Sequence, residues 1–359
     1  MATVPDLGAL GRDRALRRQQ RAENFPVALR LLPRRLRVNL VAVYDVARVI
    51  DDLGDRAAGD RTALLTEFGQ DLERVWEGGR PEHPVLRALV PAVQACGLDR
   101  EPFERLVQAN LIDQRVHRYA TYAELRGYCA LSAEPIGRVV LAVFGISAAG
   151  IGAAGIGTAG VGAAGVGAAG VSDPAATEYS DRICTALQLI EHWQDVAEDR
   201  RAGRVYLPQE DLAAFGVAEA ELDGTVVSPA LRRLMLFQIT RAAELLDSGA
   251  PLVGLLRGWA RLAVAGYLAG GRAALDALRR AHGNVLAGPP LPRRRDLLHH
   301  LLHLLLHPPA PEPNSAAAPE FDSRAGKSRP YRSAVELGAV RAVARRKGGV
   351  MRGEGGWGL

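Results

Sequence analysis

Lysine is nearly absent. Lys327 and Lys347 are the only two in 359 residues, and every other one of the 45 basic side chains is arginine. Cysteine is as sparse: Cys96, Cys129 and Cys184 are odd in number and far apart, which excludes a disulfide framework and a cysteine-built zinc module. A reducing cytosol is the simplest context for such a chain. Aromatic residues make up 5% of the sequence and alternating runs of Val, Ile or Thr are few, so the sheet classes are disfavoured. The N-terminus has no apolar signal core, because Arg12 to Arg21 is polar. One uncharged run, 139–171, is long enough to span a bilayer, but it is mostly Gly and Ala and gains little from lipid. Any membrane contact is therefore expected to be peripheral.

What remains is rich in Ala, Leu and Arg and reads as all-α. The net charge of +5 conceals an asymmetry. From Leu291 onward there are 12 basic residues against 6 acidic, whereas the preceding 290 residues carry 33 against 34. The body is neutral and the tail is basic. That tail lacks interleaved aromatics and any recognisable module, so no nucleic-acid partner is expected.

Four regions follow from the texture. Residues 1–22 are a basic lead-in, 23–147 and 173–287 a helical body, and 288–359 a basic, largely disordered tail. Residues 148–172 are an insert of five near-identical pentads, AAGIG, AAGIG, TAGVG, AAGVG and AAGVS. Glycine costs about 1 kcal/mol against alanine in a helix, so the pentads read as a flexible loop. They are no phosphate cradle, since no strand precedes them and no Lys-Ser or Lys-Thr follows. Helical periodicity is expected over Leu64 to Gly78, Val85 to Cys96, Glu101 to Tyr119, Ala123 to Gly145, Glu178 to Arg201, Glu210 to Phe215, Pro229 to Leu246 and Leu252 to about Val285. The acids Asp99, Glu101, Glu104 and Asp113 read as ordinary surface charge. Inside the tail, Asp296 to His307 (DLLHHLLHLLLH) forms a short leucine-rich helix. Its histidines have no Glu between them and no third ligand type, so it reads as a surface or membrane-touching helix rather than a metal site.

Two acidic groups carry the chemistry. Asp51, Asp52 and Asp55 sit within about one helical turn, after the apolar Leu40, Val41, Val43, Val46, Ala47, Val49 and Ile50. Such a cluster is either a solvated helix end or a hard-cation site, since oxygen ligands suit magnesium or calcium. Some 140 residues later, Gln188, Glu191, Asp195 and Asp199 form a polar stripe on an otherwise apolar helix. Two such groups can face each other across a helical bundle and hold metals between them. Magnesium completes its shell with waters and substrate phosphates, which makes diphosphate the natural substrate group. Arg48 and Arg204 are placed to contact phosphate oxygens.

Four segments in this order and spacing carry a family resemblance: ENFPVA at 23–28 with LLP at 31–33, YDVARVIDDLGD at 44–55, RYATYAELRGYCALSAEPIGR at 118–138, and SDRICTALQLIEHWQDVAEDRRAGRVYLP at 180–208. The chain resembles the squalene/phytoene synthase family, and within it the hydroxysqualene synthase branch of the bacterial hopanoid route, over about 23–285. The resemblance implies a single-domain isoprenoid-synthase helical bundle with a central apolar cavity, a prenyl diphosphate substrate and Mg²⁺. Its first aspartate-rich motif falls on Asp51, Asp52 and Asp55 and its second on Asp195 and Asp199. The metal ligands implied are Asp51, Asp55, Glu191, Asp195 and Asp199. Tyr44 and Arg48 match the pair before the first motif; Gln188, Arg204 and Tyr206 match substrate-binding positions, and Phe25 an aromatic near the substrate. Three features depart from the pattern. Glu191 stands where the family has an Asn ligand, Leu131 where two-step squalene synthases carry a tyrosine tied to condensation, and the pentads and tail have no counterpart. The hydroxysqualene branch converts presqualene diphosphate without NADPH, and no dinucleotide fingerprint is present. The alternatives are a condensing synthase that joins two prenyl diphosphates and a non-catalytic scaffold of the same fold. A cytoplasmic protein at the inner membrane face, in contact with other hopanoid-pathway enzymes, is the expected setting.

Overall fold

Pro33, itself non-helical, opens α1 (Arg34–Asp55), whose Leu40, Val43, Val46 and Ile50 recur at helical spacing and are buried. The computed structural model describes residues 32–146 and 174–310. Asp60 then caps α2 (Arg61–Glu73) by accepting from the Ala63 amide, and α3 (Pro84–Cys96) carries proline in its first turn. α4 (Glu101–Asp113), α5 (Tyr122–Ser132) and α6 (Glu134–Val143) follow. The second half comprises α7 (Pro174–Gln194), α8 (Val196–Arg201), α9 (Gln209–Phe215), a 3₁₀ turn at Glu219–Asp223, α10 (Pro229–Gly249), α11 (Leu252–Leu255), α12 (Gly258–Arg280) and α13 (Arg294–Leu306). Among the described residues there is no strand, only one isolated parallel bridge between Arg118 and Val205. The all-α expectation holds.

Three helices read as continuous from periodicity are interrupted. The stretch 123–145 divides at Ala133, because Pro135 fits only in a first turn. The stretch 178–201 breaks at Asp195, and the stretch expected over 252–285 breaks between Leu255 and Gly258 and ends at Arg280. The core has two parts. One gathers Leu40, Val46, Ile50, Phe68, Leu86 and Phe103 around α1; the other gathers Leu125, Ile183, Leu189, Trp193, Leu231 and Leu268 around α7. α7 and α10 pack very closely. A Cβ on Gly249 would lie 2.7 Å from the Tyr179 carbonyl oxygen and 3.1 Å from the Ile183 amide, so only glycine fits there.

α13, which the sequence assigns to the tail, lies antiparallel on α12. Arg280 pairs with Asp296 at 2.5 Å, His300 meets Asp276 at 2.7 Å, and Arg261 donates to the Leu305 carbonyl at 2.6 Å. No helix among the described residues is long and apolar enough to cross a membrane. The lead-in, the pentads, Phe25 and residues 311–359 lie outside the described residues.

Candidate active site

The three acids of the first motif end α1, where the helix dipole already presents negative charge, so they need compensation from elsewhere. It comes from four donors. Arg48 and Arg56 approach Asp52 at 3.6 and 3.3 Å, Asn110 donates to Asp51 at 3.3 Å, and Arg204 donates to Asp55 at 2.8 Å. Asp51 is open to solvent yet recessed among protein atoms. That crowding raises its pKa to about 6, with Asp55 and Asp52 adding to the shift and Asn110 and Arg48 opposing it. Gly54 lets α4 come this close, since a Cβ there would overlap the Asn110 side-chain oxygen. Gln114 locks the contact by donating to the Gly54 carbonyl at 3.0 Å.

The second motif is brought opposite by the break at Asp195. Arg204 follows α8 through Gly203, and its amide donates to the Asp199 carbonyl at 2.8 Å. The strand-like bridge then fixes its neighbour, Val205, whose amide donates to the His117 carbonyl at 2.9 Å. Outside this, Glu219 takes both Arg118 (2.6 Å) and Arg200 (2.5 Å), and Asp223 takes Arg200 at 2.7 Å. The Arg204 guanidinium is thus aimed inward: it pairs with Asp55 while its Nε is buried with no partner. Asp199 is raised to about 7 by burial, countered by Arg204 and reinforced by Asp195, Glu191 and Glu198. Burial and Glu198 raise Asp195 as well. The two acidic groups therefore meet across one guanidinium.

Beneath Arg204 lies a network that the sequence did not reveal. Asp113 accepts from the Tyr128 hydroxyl at 2.5 Å and the Tyr206 hydroxyl at 3.4 Å. Burial raises it to about 6, with Tyr128 and Arg204 opposing and Asp55 adding. The reading of Asp113 as surface charge is corrected by these contacts. Its signal in the sequence was faint: Asn110, Asp113 and Gln114 share the polar end of an otherwise apolar helix. Tyr119, Tyr128 and Tyr206 pack with ring centroids 5.4 to 6.0 Å apart, and His192 stacks on Tyr206 at 3.7 Å. Burial lowers His192 to about 3, so it is neutral, and its Nδ1 at 4.0 Å from Asp199 makes no ion pair. Gln188 sits 3.3 Å from the other ring nitrogen. The Tyr119 hydroxyl is buried without a partner. A void of about 10 Å³ among His192, Val196, Asp199, Arg204 and Tyr206 has room for about one water.

Of the residues singled out in the sequence, Arg48, Asp51, Asp52, Asp55, Gln188, Glu191, Asp195, Asp199, Arg204 and Tyr206 are joined by these contacts and charge interactions. Tyr44 lies on α1 one turn before Arg48, and Phe25 is outside the described residues. Neither this void nor the groove beside α13 that Asp247, Arg272, Asp276, His299 and His303 line is an apolar chamber for a prenyl chain.

Residues 18–297 match the squalene/phytoene synthase family. This chain belongs to that family. It is an isoprenoid synthase of the class that processes prenyl diphosphates. The 15-cis-phytoene synthase of Synechococcus elongatus is 31% identical over 225 residues, covering 62% of this chain and 68% of the relative. The hydroxysqualene synthase of Rhodopseudomonas palustris is 30% identical over 238 residues, covering 66% and 72%. Among solved structures, the squalene synthase HpnC from Alicyclobacillus acidocaldarius is 36% identical with a TM-score of 0.63, covering 76% of this chain and 94% of that one.

The donor set of this synthase fits a hard divalent cation. All of its candidate ligands are carboxylates, and Asp51 and Asp199 are both held above the ordinary carboxylate value, by the crowding of protein atoms around them and by the acids beside each: Asp55 and Asp52 for Asp51, and Asp195, Glu191 and Glu198 for Asp199. Among the described residues no three acidic, histidine or cysteine side chains converge on one point. Magnesium is compatible with that arrangement, because it takes one or two carboxylates and fills its shell with water and phosphate oxygens.

Proposed function

We propose that this synthase converts presqualene diphosphate to hydroxysqualene. The carbon–oxygen bond to the diphosphate breaks and the electron pair leaves on the diphosphate. The cyclopropylcarbinyl cation rearranges, and water adds through its oxygen and releases a proton. Arg204 supports the diphosphate part of this reading: a half-buried guanidinium between the two acidic groups, with its Nε–H free of any protein partner, suits a phosphate oxygen. Asp51, Asp55, Glu191, Asp195 and Asp199 would hold Mg²⁺, which supplies neutralisation of the charge developing on the leaving diphosphate. Arg48 adds a second guanidinium beside Asp52. Asp113 orients the Tyr128 and Tyr206 hydroxyls, and the neutral His192 braces Tyr206 by stacking. Leu131, packed against the core on α5 where condensing squalene synthases resemble one another in a tyrosine, supports the one-substrate branch. So does the likeness to the hydroxysqualene synthase of Rhodopseudomonas palustris. An apolar substrate and product favour work at the cytoplasmic membrane face, without NADPH.

The likeness to phytoene synthases at similar identity favours a second reading, condensation of two prenyl diphosphates. Purified protein given presqualene diphosphate or farnesyl diphosphate, with and without Mg²⁺, separates them by mass spectrometry of the products. The Asp51→Asn, Asp195→Asn double variant serves as the blank. Metal-dependent hydroxysqualene from presqualene diphosphate alone supports the first reading, and product from farnesyl diphosphate replaces it with the second. Turnover of neither by a folded protein would point to the scaffold.

A further inference from the structure

We propose that α13 is a docking surface for anionic lipid. Its helix is apolar on both sides. Leu297, Leu301, Leu304 and Leu305 pack inward on the α7–α12 core. Leu298, Leu302 and Leu306, at intervals of four, form a second row that points out, 56%, 50% and 72% exposed. Leu291 just before the helix is 77% exposed, and Trp259 sits at the end of α12 that Arg261 ties to Leu305. Five of the nine large hydrophobic side chains exposed among the described residues therefore lie at this one edge, which makes it a patch rather than scattered exposure.

Charge selects the occupant. Arg293, Arg294 and Arg295 are consecutive and exposed at the start of the helix, and the nearby Asp296 is engaged by Arg280. The sequence that follows, 311–359, adds 9 basic residues against 5 acidic. A second copy of this chain would bring a like-charged arginine run to the patch. A bilayer containing anionic lipid instead accepts the leucine row at its headgroup boundary, pairs the arginines with phosphates, and favours tryptophan at the same depth. The edge is built from α12 and α13 and includes none of the site's carboxylates, so the proposal does not depend on which prenyl diphosphate is used.

The test is sedimentation of the full-length protein with vesicles of phosphatidylcholine alone or in equal mixture with phosphatidylglycerol. The wild type is expected to pellet with the anionic vesicles and to be released by salt. Leu298→Glu with Leu302→Glu should weaken that binding by about tenfold or more, as should Arg293→Ser with Arg294→Ser and Arg295→Ser. Both variants change exposed positions, so the melting temperature and turnover of detergent-dispersed substrate should match the wild type. The proposal is overturned if the wild type pellets with neither vesicle, or if either variant binds as the wild type does. It also fails if the leucine variant changes the oligomeric state in the absence of vesicles, because a second copy would then be what covers this face.

Discussion

Replacing Asp113 by asparagine should make the protein more stable and less active. The carboxylate is buried beneath Arg204 with its pKa raised from 3.8 to about 6, so the folded state favours the protonated form. The sign follows from linkage. A raised carboxylate is harmless below pH 3.8, penalises folding progressively as pH rises to 6, and costs a constant amount above that, about 3 kcal/mol. Asparagine cannot ionise and escapes that cost, while its amide oxygen still accepts one tyrosine hydroxyl. Against it stands the loss of one oxygen from the Tyr128 and Tyr206 contacts, about 1 kcal/mol for a hydrogen bond of ordinary net worth. The variant should therefore gain about 2 kcal/mol over wild type at pH 7.5 and be slightly less stable than wild type, by about 0.5 kcal/mol, at pH 4. Urea unfolding at both pH values measures this. Turnover should fall, because a charge that steadies Arg204 is gone and the tyrosine hydroxyls lose their shared acceptor. If Asp113→Asn is destabilised equally at pH 4 and pH 7.5, the ionised carboxylate is a net stabiliser and the reasoning is wrong.

Arg204→Lys keeps the charge but loses the fork that serves Asp55 and leaves Nε free; kcat/KM should drop by about a hundredfold with an unchanged melting temperature, and wild-type kinetics would remove Arg204 from the site. Gly249→Ala should cost about 3 kcal/mol in urea, because the new Cβ meets the Tyr179 and Ile183 backbones, which cannot swing away; activity per folded molecule should be unaffected. Gly54→Ala presses only on the movable end of Asn110, so it should cost about 1 kcal/mol yet lower activity by turning Asn110 from Asp51. Mg²⁺ should raise the melting temperature more at pH 8 than at pH 5.5, since Asp51 and Asp199, near 6 and 7, bind protons in place of the cation at the lower pH; an equal rise at both values would argue against these carboxylates as ligands.

The readable parts of this chain are those whose reason is local. The helical spacing of Leu40, Val43, Val46 and Ile50 marks α1, and the short interval from Asp51 to Asp55 marks its acidic end, because both are properties of one helix. The same holds for the stripe from Gln188 to Asp199, although periodicity alone passes through the break at Asp195 that turns the second half of the stripe toward Arg204. What periodicity could not supply is partnership. Asp113 in isolation is one acid at the end of a helix, indistinguishable from Glu101 or Glu104 on the same element. It becomes a buried acceptor only when the bridge between Arg118 and Val205 draws Tyr206 onto it and α5 brings Tyr128. His192 is hidden in the same way, inside an apolar run and neutral only because Tyr206 and the α7 core close over it. Arg204 is where the two kinds of residue meet. Its place after the second acidic group was legible, but its pairing with Asp55, 149 positions earlier in the chain, was not. That single long-range ion pair makes two separate acidic helix ends into one site, so perturbing Arg204 tests the assembly as well as the chemistry.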